Sequence, residues 1–328
     1  MTTGTLEPKG RPPKARPPKG GRAVWTDERS EEGRQRLKGR PEAENKQRKQ
    51  RLPFSPWHLV LLPATLVLIF PFFWLLLTAL ETPSEAMHFP PVLVPHALRF
   101  ANFADAWKSA PFGRFFLNSA IVAVTTVVSN LVLCSLAGYA FARFRFLGRT
   151  ALFAVIMATL MVPFQVTMIP RFVITKWLGV HVLAGVGINH IGALILPNAA
   201  TAFGIFFLRQ FFRTLPIECE EAARVDGASR LHVLFRIVLP LATPALATLA
   251  ALTFLDSWND FMWPLIVTTS TNKMTLPLGL ATFQGAHSTE WTLLMAGNVM
   301  SLVPMLAIFF LAQRYFVRSV AATGLAGT

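Results

Sequence analysis

The chain is poor in the side chains that carry covalent or metal chemistry. It has 2 Cys in 328 residues, Cys134 and Cys219. One falls in an apolar stretch and the other in a polar one, so neither a disulfide framework nor a cysteine metal knuckle can be built from them. The 7 His are scattered without ligand spacing, with His58, His88 and His96 near the ends of apolar stretches. No Ser/His/Asp constellation and no metal-ligand cluster occurs. No G-x-x-x-x-G-K-[ST] occurs either, so the chain has no phosphate-cradling loop of its own. These absences argue against an enzyme and against a bound cofactor. If ATP drives this protein, another subunit binds and hydrolyses it. Charge is also scarce, at 15% of residues.

What fills the chain instead is apolar: 53% of residues are hydrophobic, and 28 are Phe. Six long stretches carry no Lys, Arg, Asp or Glu: Leu59–Leu80, Phe115–Phe141, Thr150–Pro170, Ile191–Leu208, Leu239–Leu255 and Trp291–Ala312. A membrane-spanning helix needs about 20 apolar residues, within a range of roughly 17–25. Backbone polar groups cannot stay unpaired in lipid, so the stretches are expected to be helices. The fold class is therefore an all-α membrane protein with six transmembrane helices, over about 59–80, 115–141, 150–170, 191–208, 239–267 and 291–312. Pro63, Pro71, Pro163, Pro197, Pro264 and Pro304 lie in or beside the spans and predict kinks or short helices. Lys and Arg set the orientation. With a cytoplasmic N-terminus, the inside segments carry 25 Lys and Arg and the outside loops 6. Both termini are thus expected in the cytoplasm, with residues 81–114, 171–190 and 268–290 outside.

Residues 1–52 form a segment of their own. The first 51 hold 15 Lys or Arg, 7 Asp or Glu and many Pro and Gly, with almost no apolar periodicity. Such a composition buries no core and predicts disorder. It is not a secretory signal, because no short apolar region with a small-residue cleavage site follows the charges. Beside a first span, its basic charge suits anionic lipid headgroups and orientation rather than nucleic acid. The remainder, 53–328, reads as one transmembrane domain.

The most informative segment is Glu221–Pro244, EAARVDGASRLHVLFRIVLPLATP, a polar stretch between apolar spans. Pro216 suits a first helical turn, and Glu218, Glu220 and Glu221 favour a helix N-terminus. Ala222 and Ala223 lack bulk, so another surface can approach the backbone. Gly227 can take positive φ and end the helix. Ser229 can cap a second helix, on which Leu231, Phe235 and Val238 fall at helical spacing. The pattern predicts two short helices around a glycine bend, within a connecting loop over 209–244.

The order Glu221-Ala222-Ala223, Asp226-Gly227-Ala228, Phe235, Ile237, Leu239-Pro240 and Pro244 resembles the "EAA loop" of binding-protein-dependent ABC importer permeases. The rest resembles the sugar branch of that family, the smaller permease of the maltose and oligosaccharide type. The matching residues are Asn118-Ser119, Met168-Ile169-Pro170, Leu196-Pro197, Arg209-Gln210-Phe211-Phe212, Trp258 through Leu265, Thr275 through Leu280, and Gln313 through Val317. The likeness covers about 55–328; the basic N-terminal segment departs from it, and Ser319 through Thr323 keeps only the length of the family's C-terminal tail.

The resemblance implies a type I ABC importer permease fold. It implies an ATPase-coupling surface on Glu221, Ala222, Ala223, Asp226, Gly227 and Ala228. It implies contact with an extracytoplasmic solute-binding protein through the last outside loop, at Gln284, Gly285 and His287. The implied partners are a second homologous permease, two ATPase subunits, the binding protein and membrane lipid, in a bacterial or archaeal inner membrane. The implied function is import of an oligosaccharide or a sugar-like solute such as glycerol phosphate.

Polar residues in or beside spans are candidates for the solute path: Asn118, Gln165, Asn198 and Asn259, with Asn130 and Asn298 as further polar groups. Such residues also serve as interhelical hydrogen-bonding groups. Asp256 and Asp260 suit either caps in an interfacial belt or a place on that path. The alternative reading, an ion-coupled secondary transporter, needs buried carboxylates or broken helices at matching positions of two repeats.

Overall fold

The computed structural model describes residues 57–285 and 289–324, with side chains as far as Arg314. Segment 1–52 and His287 lie outside the described residues. Two units divide the chain, Met1–Leu66 and Val67–Thr328, and the packed cores lie in the second. No strand occurs among the described residues; a single antiparallel bridge pairs Gln284 with Thr289.

Along the chain, α1 (His58–Leu80) has 23 residues, α2 (Ala101–Ser109) is short, and α3 (Phe112–Arg143) has 32. Next come α4 (Arg149–Thr159), α5 (Phe164–His181), α6 (Ile191–Ile195) and α7 (Ala202–Thr214). The polar segment forms α8 (Glu218–Val225) and α9 (Arg230–Val233). The chain ends with α10 (Thr243–Asn259), α11 (Met262–Val267), α12 (Leu276–Leu280) and α13 (Trp291–Gly324). At 1.5 Å per residue, 23 residues reach ~35 Å, enough for a hydrocarbon layer of about 30 Å. The apolar side chains of α1 from Leu59 to Phe73 are largely exposed, as a lipid-facing helix requires.

Among the described residues, only α1, α3 and α13 are long and apolar enough to cross a membrane alone. Three further helix pairs are apolar enough to cross when each is taken as one bent span: α4 with α5 at 105°, Ile191–Asn198 with α7 at 41°, and Arg230–Leu241 with α10 at 81°. Each bend has a local cause. Proline disfavours helical backbone in the residue before it, and Pro163 sits between α4 and α5 with extended ψ of 141°. Pro197 precedes the second break, where Thr201 is extended and its side chain caps α7 by accepting from the Gly204 N–H. At the third, a π turn over Leu234–Val238 runs into Pro240 and Pro244.

These bends correct two sequence expectations. The stretch 150–170 is not one helix, and Arg171, assigned to an outside loop, lies inside α5. The stripe expected from Leu231, Phe235 and Val238 is also displaced. Leu231 and Phe235 are exposed, while Val233, Leu234 and Val238 are buried. A π turn holds one residue more than an α turn, so it rotates the core-facing positions.

The long helix α3 is the axis of the second unit. Near its C-terminal end, Cys134 and Tyr139 pack with Leu208 and Phe212 of α7 and with Val233, Leu234 and Val238. Near its N-terminal end, Phe112 and Phe115 pack with Trp258, Leu276 and Phe283. α3 and α7 come close because Gly204 lacks a side chain: a Cβ there would lie 2.8 Å from the Cys134 Sγ. Small residues at such crossings let helices approach closely without a hydrophobic drive. At the other end Asn118 donates to the carbonyls of Asn272 and Met274, at 3.0 and 2.9 Å. Ser119 Oγ accepts from the Leu276 N–H at 2.7 Å.

Candidate functional site

Two sites share α3. The first hangs from its C-terminal end. α7 stops at Thr214, and Leu215 and Pro216 turn the chain into α8. Glu220, in the first turn of α8, is only 6% exposed. Its Oε1 accepts from Arg143 Nε at 2.7 Å and its Oε2 from the Tyr139 hydroxyl at 2.9 Å. Arg143 Nη2 also donates to the Leu215 carbonyl at 2.9 Å. The last turn of α3 thus grips the end of α7 and the start of α8 together. A buried carboxylate needs such partners, and here it has a cation and a hydroxyl.

The far end of α8 is closed by backbone geometry. Gly227 has φ of 86°, its N–H donates to the Arg224 carbonyl, and the Ala228 N–H donates to the Ala223 carbonyl. This paired pattern around a left-handed residue satisfies carbonyls that helix ends leave orphaned. Ser229 then caps α9, its Oγ accepting from the His232 N–H, and the Arg230 guanidinium lies 4.5 Å from the Phe144 ring centre. With both ends fixed, α8 presents Glu221, Ala222 and Asp226, all exposed, and half-buried Ala223 and Ala228 beside Gly227. Exposed apolar groups flank them: Val225 is 87% exposed and Leu231 60%. Glu218 and Glu221 add negative charge at the helix N-terminus, where it is favoured.

The second site is a cavity of about 1070 Å³ lined by residues of α3, α5, α7, α10 and the breaks between helices. Asn130 of α3 donates to the Asn198 carbonyl at 2.6 Å and accepts from the Thr201 hydroxyl at 2.9 Å. Asn198 Oδ1 accepts from Arg171 Nη2 at 2.6 Å. The Arg171 guanidinium also lies 4.6 Å from the Trp263 ring centre and 5.7 Å from that of Phe164. Asp256, Asn259 and Asp260 line the wall on the α10 side. Asp260 caps α11 as well, accepting from the Trp263 N–H at 3.2 Å. Proline-interrupted backbone at this depth is tolerated where it lines a cavity, and the carbonyl of Asn198 is satisfied by Asn130. An array of amide, hydroxyl, carboxylate and guanidinium groups beside aromatic faces can bind a polyhydroxylated solute through hydrogen bonds and stacking.

Of the four residues expected on a solute path, Asn198 and Asn259 line this cavity and Asn118 and Gln165 do not. Asn118 ties α3 to the 272–274 backbone, and Gln165 is exposed outside the cavity lining. Arg171 was missed because a basic residue after an apolar stretch reads as a loop. The signal available was Met168-Ile169-Pro170, since proline within a helix need not end it when neighbours cover the freed carbonyl.

The loop before α13 leaves from the opposite end of α3. Phe283 is buried against Phe112 and Phe115, and the exposed Gln284 and Gly285 follow it. The bridge from Gln284 to Thr289 and the Glu290 N–H donating to the Phe283 carbonyl at 3.0 Å pinch this loop at its base. Between α1 and α2, Glu85 accepts from the backbone N–H groups of Thr82 and His96 and from their side chains. These bonds hold its carboxyl at about 2, far below the usual carboxylate range. Glu81, desolvated by burial and then repelled by Glu85, is pushed up.

Residues 131–322 match the family model of the binding-protein-dependent transport system inner membrane component. The arabinooligosaccharides transport system permease protein AraQ of Halalkalibacterium halodurans is 35% identical over 264 residues, 80% of this chain and 92% of that protein. The sn-glycerol-3-phosphate transport system permease protein UgpE of Pectobacterium atrosepticum is 34% identical, over 80% of this chain and 93% of its own. The diacetylchitobiose uptake system permease protein NgcG of Streptomyces coelicolor is 33% identical, over 80% and 86%. Among solved structures, a chain of a bacterial ABC transporter involved in import of the acidic polysaccharide alginate superposes with a TM-score of 0.69 at 24% identity, covering 80% of this chain and 99% of that one.

Proposed function

The chain belongs to the family of binding-protein-dependent transport system inner membrane components, and on that premise we propose that it is the membrane-spanning permease subunit of an ATP-driven importer for oligosaccharides or a sugar-like solute. It is a multi-pass membrane protein and not itself an enzyme. It works with a second, homologous permease, two ATPase subunits and an extracytoplasmic solute-binding protein, in a bacterial or archaeal inner membrane. Residues 1–52 form a basic cytoplasmic tail that orients the first span, and 53–328 form the transmembrane domain.

The observation that carries this reading is the mounting of α8. Its base is clamped to α3 through Glu220, Tyr139 and Arg143, while Glu221, Ala222 and Asp226 face outward. An ATPase cleft that closes on this face moves α3, and α3 also supplies Thr126 and Asn130 to the cavity. Displacement of the docking helix is thereby transmitted to the solute path without an intervening flexible loop. Charge sets the direction. Arg143, Arg145, Arg149, Arg209 and Arg213 gather at the α8 end, and an excess of basic residues supports a cytoplasmic position for that end. The loop at Gln284, Gly285 and His287 then faces outward, towards the binding protein. Solute released there enters the cavity, where Asn198, Asn259 and Arg171 hydrogen-bond its hydroxyls.

The test is uptake in proteoliposomes that hold the full chain with its co-purifying subunits. Labelled oligosaccharide should accumulate only with internal ATP and with binding protein outside. Accumulation driven by a sodium or proton gradient without ATP would instead establish a secondary transporter.

A further inference from the structure

Beside the base of α8 lies a second cavity, of about 320 Å³, which shares only Arg143 with the clamp on Glu220. Five of its lining residues are arginines: Arg143, Arg145, Arg149, Arg209 and Arg213. No carboxylate lines it. Glu220 reaches Arg143 from outside and is already engaged there. Arg149 donates to the Phe144 carbonyl at 3.0 Å, and Arg209 donates to the Phe141 carbonyl at 3.4 Å with its guanidinium 3.9 Å from the Phe153 ring centre. These contacts fix the side chains but neutralise no charge. Arg145 and Arg213 form no hydrogen bond or ion pair among the described residues. A folded chain that gathers like charges around a cleft with no counter-charge is built to receive an anion.

The position of the cleft selects the kind of anion. Arg143 is the last residue of α3, Arg149 the first of α4, and Arg209 and Arg213 lie in the last two turns of α7. The ends of three apolar helices thus meet at one cleft, and where such helices leave a bilayer they reach the level of the lipid phosphates. The neighbouring surface is apolar and open: Leu147, Leu152 and Val155 are all exposed. Arginine forks match phosphate oxygens in pairs, and the apolar surface beside them suits acyl chains.

We propose that this cleft binds the phosphate group of an anionic membrane phospholipid. Arg143 belongs both to the cleft and to the clamp on Glu220, so the bound phosphate holds the corner from which α8 hangs. The proposal requires that α3 and α7 span the membrane. It is independent of the solute carried and of which face is cytoplasmic.

The experiment uses the full chain in mixed micelles of phosphatidylglycerol and phosphatidylcholine, with lipid adducts counted by native mass spectrometry. Wild type is expected to retain phosphatidylglycerol in preference to phosphatidylcholine. The paired change Arg145→Gln and Arg213→Gln should weaken retention about 30-fold, the effect of removing two basic residues from an anionic surface. Arg145→Lys with Arg213→Lys should restore most of it. Arg145→Gln alone, at an exposed position between α3 and α4, gives the same direction if the pair does not fold. Equal retention in wild type and the glutamine variants overturns the site. Inorganic phosphate is the second arm: phosphate adducts on lipid-free chain that vanish with the glutamine pair would name a soluble anion and overturn the lipid assignment. Loss of ATPase pull-down by the glutamine pair with lipid retention unchanged would assign the arginines to an acidic protein face, and would also overturn it. Lipid retention in micelles does not depend on orientation or transport, so this proposal and the transport reading fail separately.

Discussion

Replacing Glu220 by Ala tests how α8 is held. The change removes one member of a buried pair whose side chains are 12% and 8% exposed. Removing one partner of a fully buried ion pair costs about 3–5 kcal/mol, because the other charge is left without compensation. Arg143 keeps its bond to the Leu215 carbonyl, which lowers the expected cost to about 2–3 kcal/mol. That free energy belongs to the local opening of α8 rather than to the spans. Amide hydrogen exchange over Glu218–Val225 in the detergent-solubilised chain should therefore speed up by about 30- to 140-fold. Exchange in α3 above Ser135 should be unchanged. Tyr139→Phe removes one hydrogen bond, worth about 1 kcal/mol, and should give about 5-fold. Unchanged exchange in α8 with Glu220→Ala would refute the clamp and the transmission path through α3. A uniform rise along α3 would show that the pair stabilises the span and not the docking helix.

Gly227→Val meets only a backbone penalty, since a Cβ there has nothing within 4 Å, so the loop should lose about 1–2 kcal/mol while the thermal midpoint of the spans holds. Arg171→Met removes a charged donor to Asn198; at about 1.5–3 kcal/mol for such a bond, uptake should fall at least about tenfold with ATPase pull-down intact. Glu85 supplies a pH signature: its carboxyl is lowered from 4.5 to about 2 on folding, so its stabilisation is complete above the unfolded value and is lost as pH falls from 4.5 towards 2. The thermal midpoints of wild type and Glu85→Gln should converge over that window and stay apart above it. Replacing residues 283–287 by a Gly-Ser turn should abolish uptake and leave basal ATP hydrolysis, because among the described residues it removes only Phe283 from the core.

Features that depend on nearest neighbours in sequence were legible without a structure. Apolar length alone marked α1, α3 and α13, since lipid leaves the backbone no alternative to helix. The end of α8 was legible at Gly227 and Ser229 because both residue types solve a local hydrogen-bonding problem. What failed depended on partners far away. Glu220 reads as one more acid at a helix N-terminus; that it is the buried one requires Tyr139 and Arg143, some 80 positions earlier, to arrive beside it. The displaced stripe at Leu231 and Phe235 had a similar origin, because a π turn is set by how Leu234 and Val238 must meet α3 and α7. Arg171 looked like a loop residue because composition cannot show that aromatic faces of Phe164 and Trp263 will shelter a guanidinium. The three bent helix pairs were half legible: the prolines announced breaks but not their angles.

Transmission of ATPase closure to the spans through the outward face of α8 is read out by ATP turnover in the reconstituted complex with and without solute-loaded binding protein. Wild type should show strong stimulation by the loaded binding protein. Glu221→Lys reverses an exposed charge without touching the clamp, so the complex should keep its fold and its basal turnover while stimulation disappears. Full stimulation of the Glu221→Lys complex would show that this face of α8 does not carry the motion.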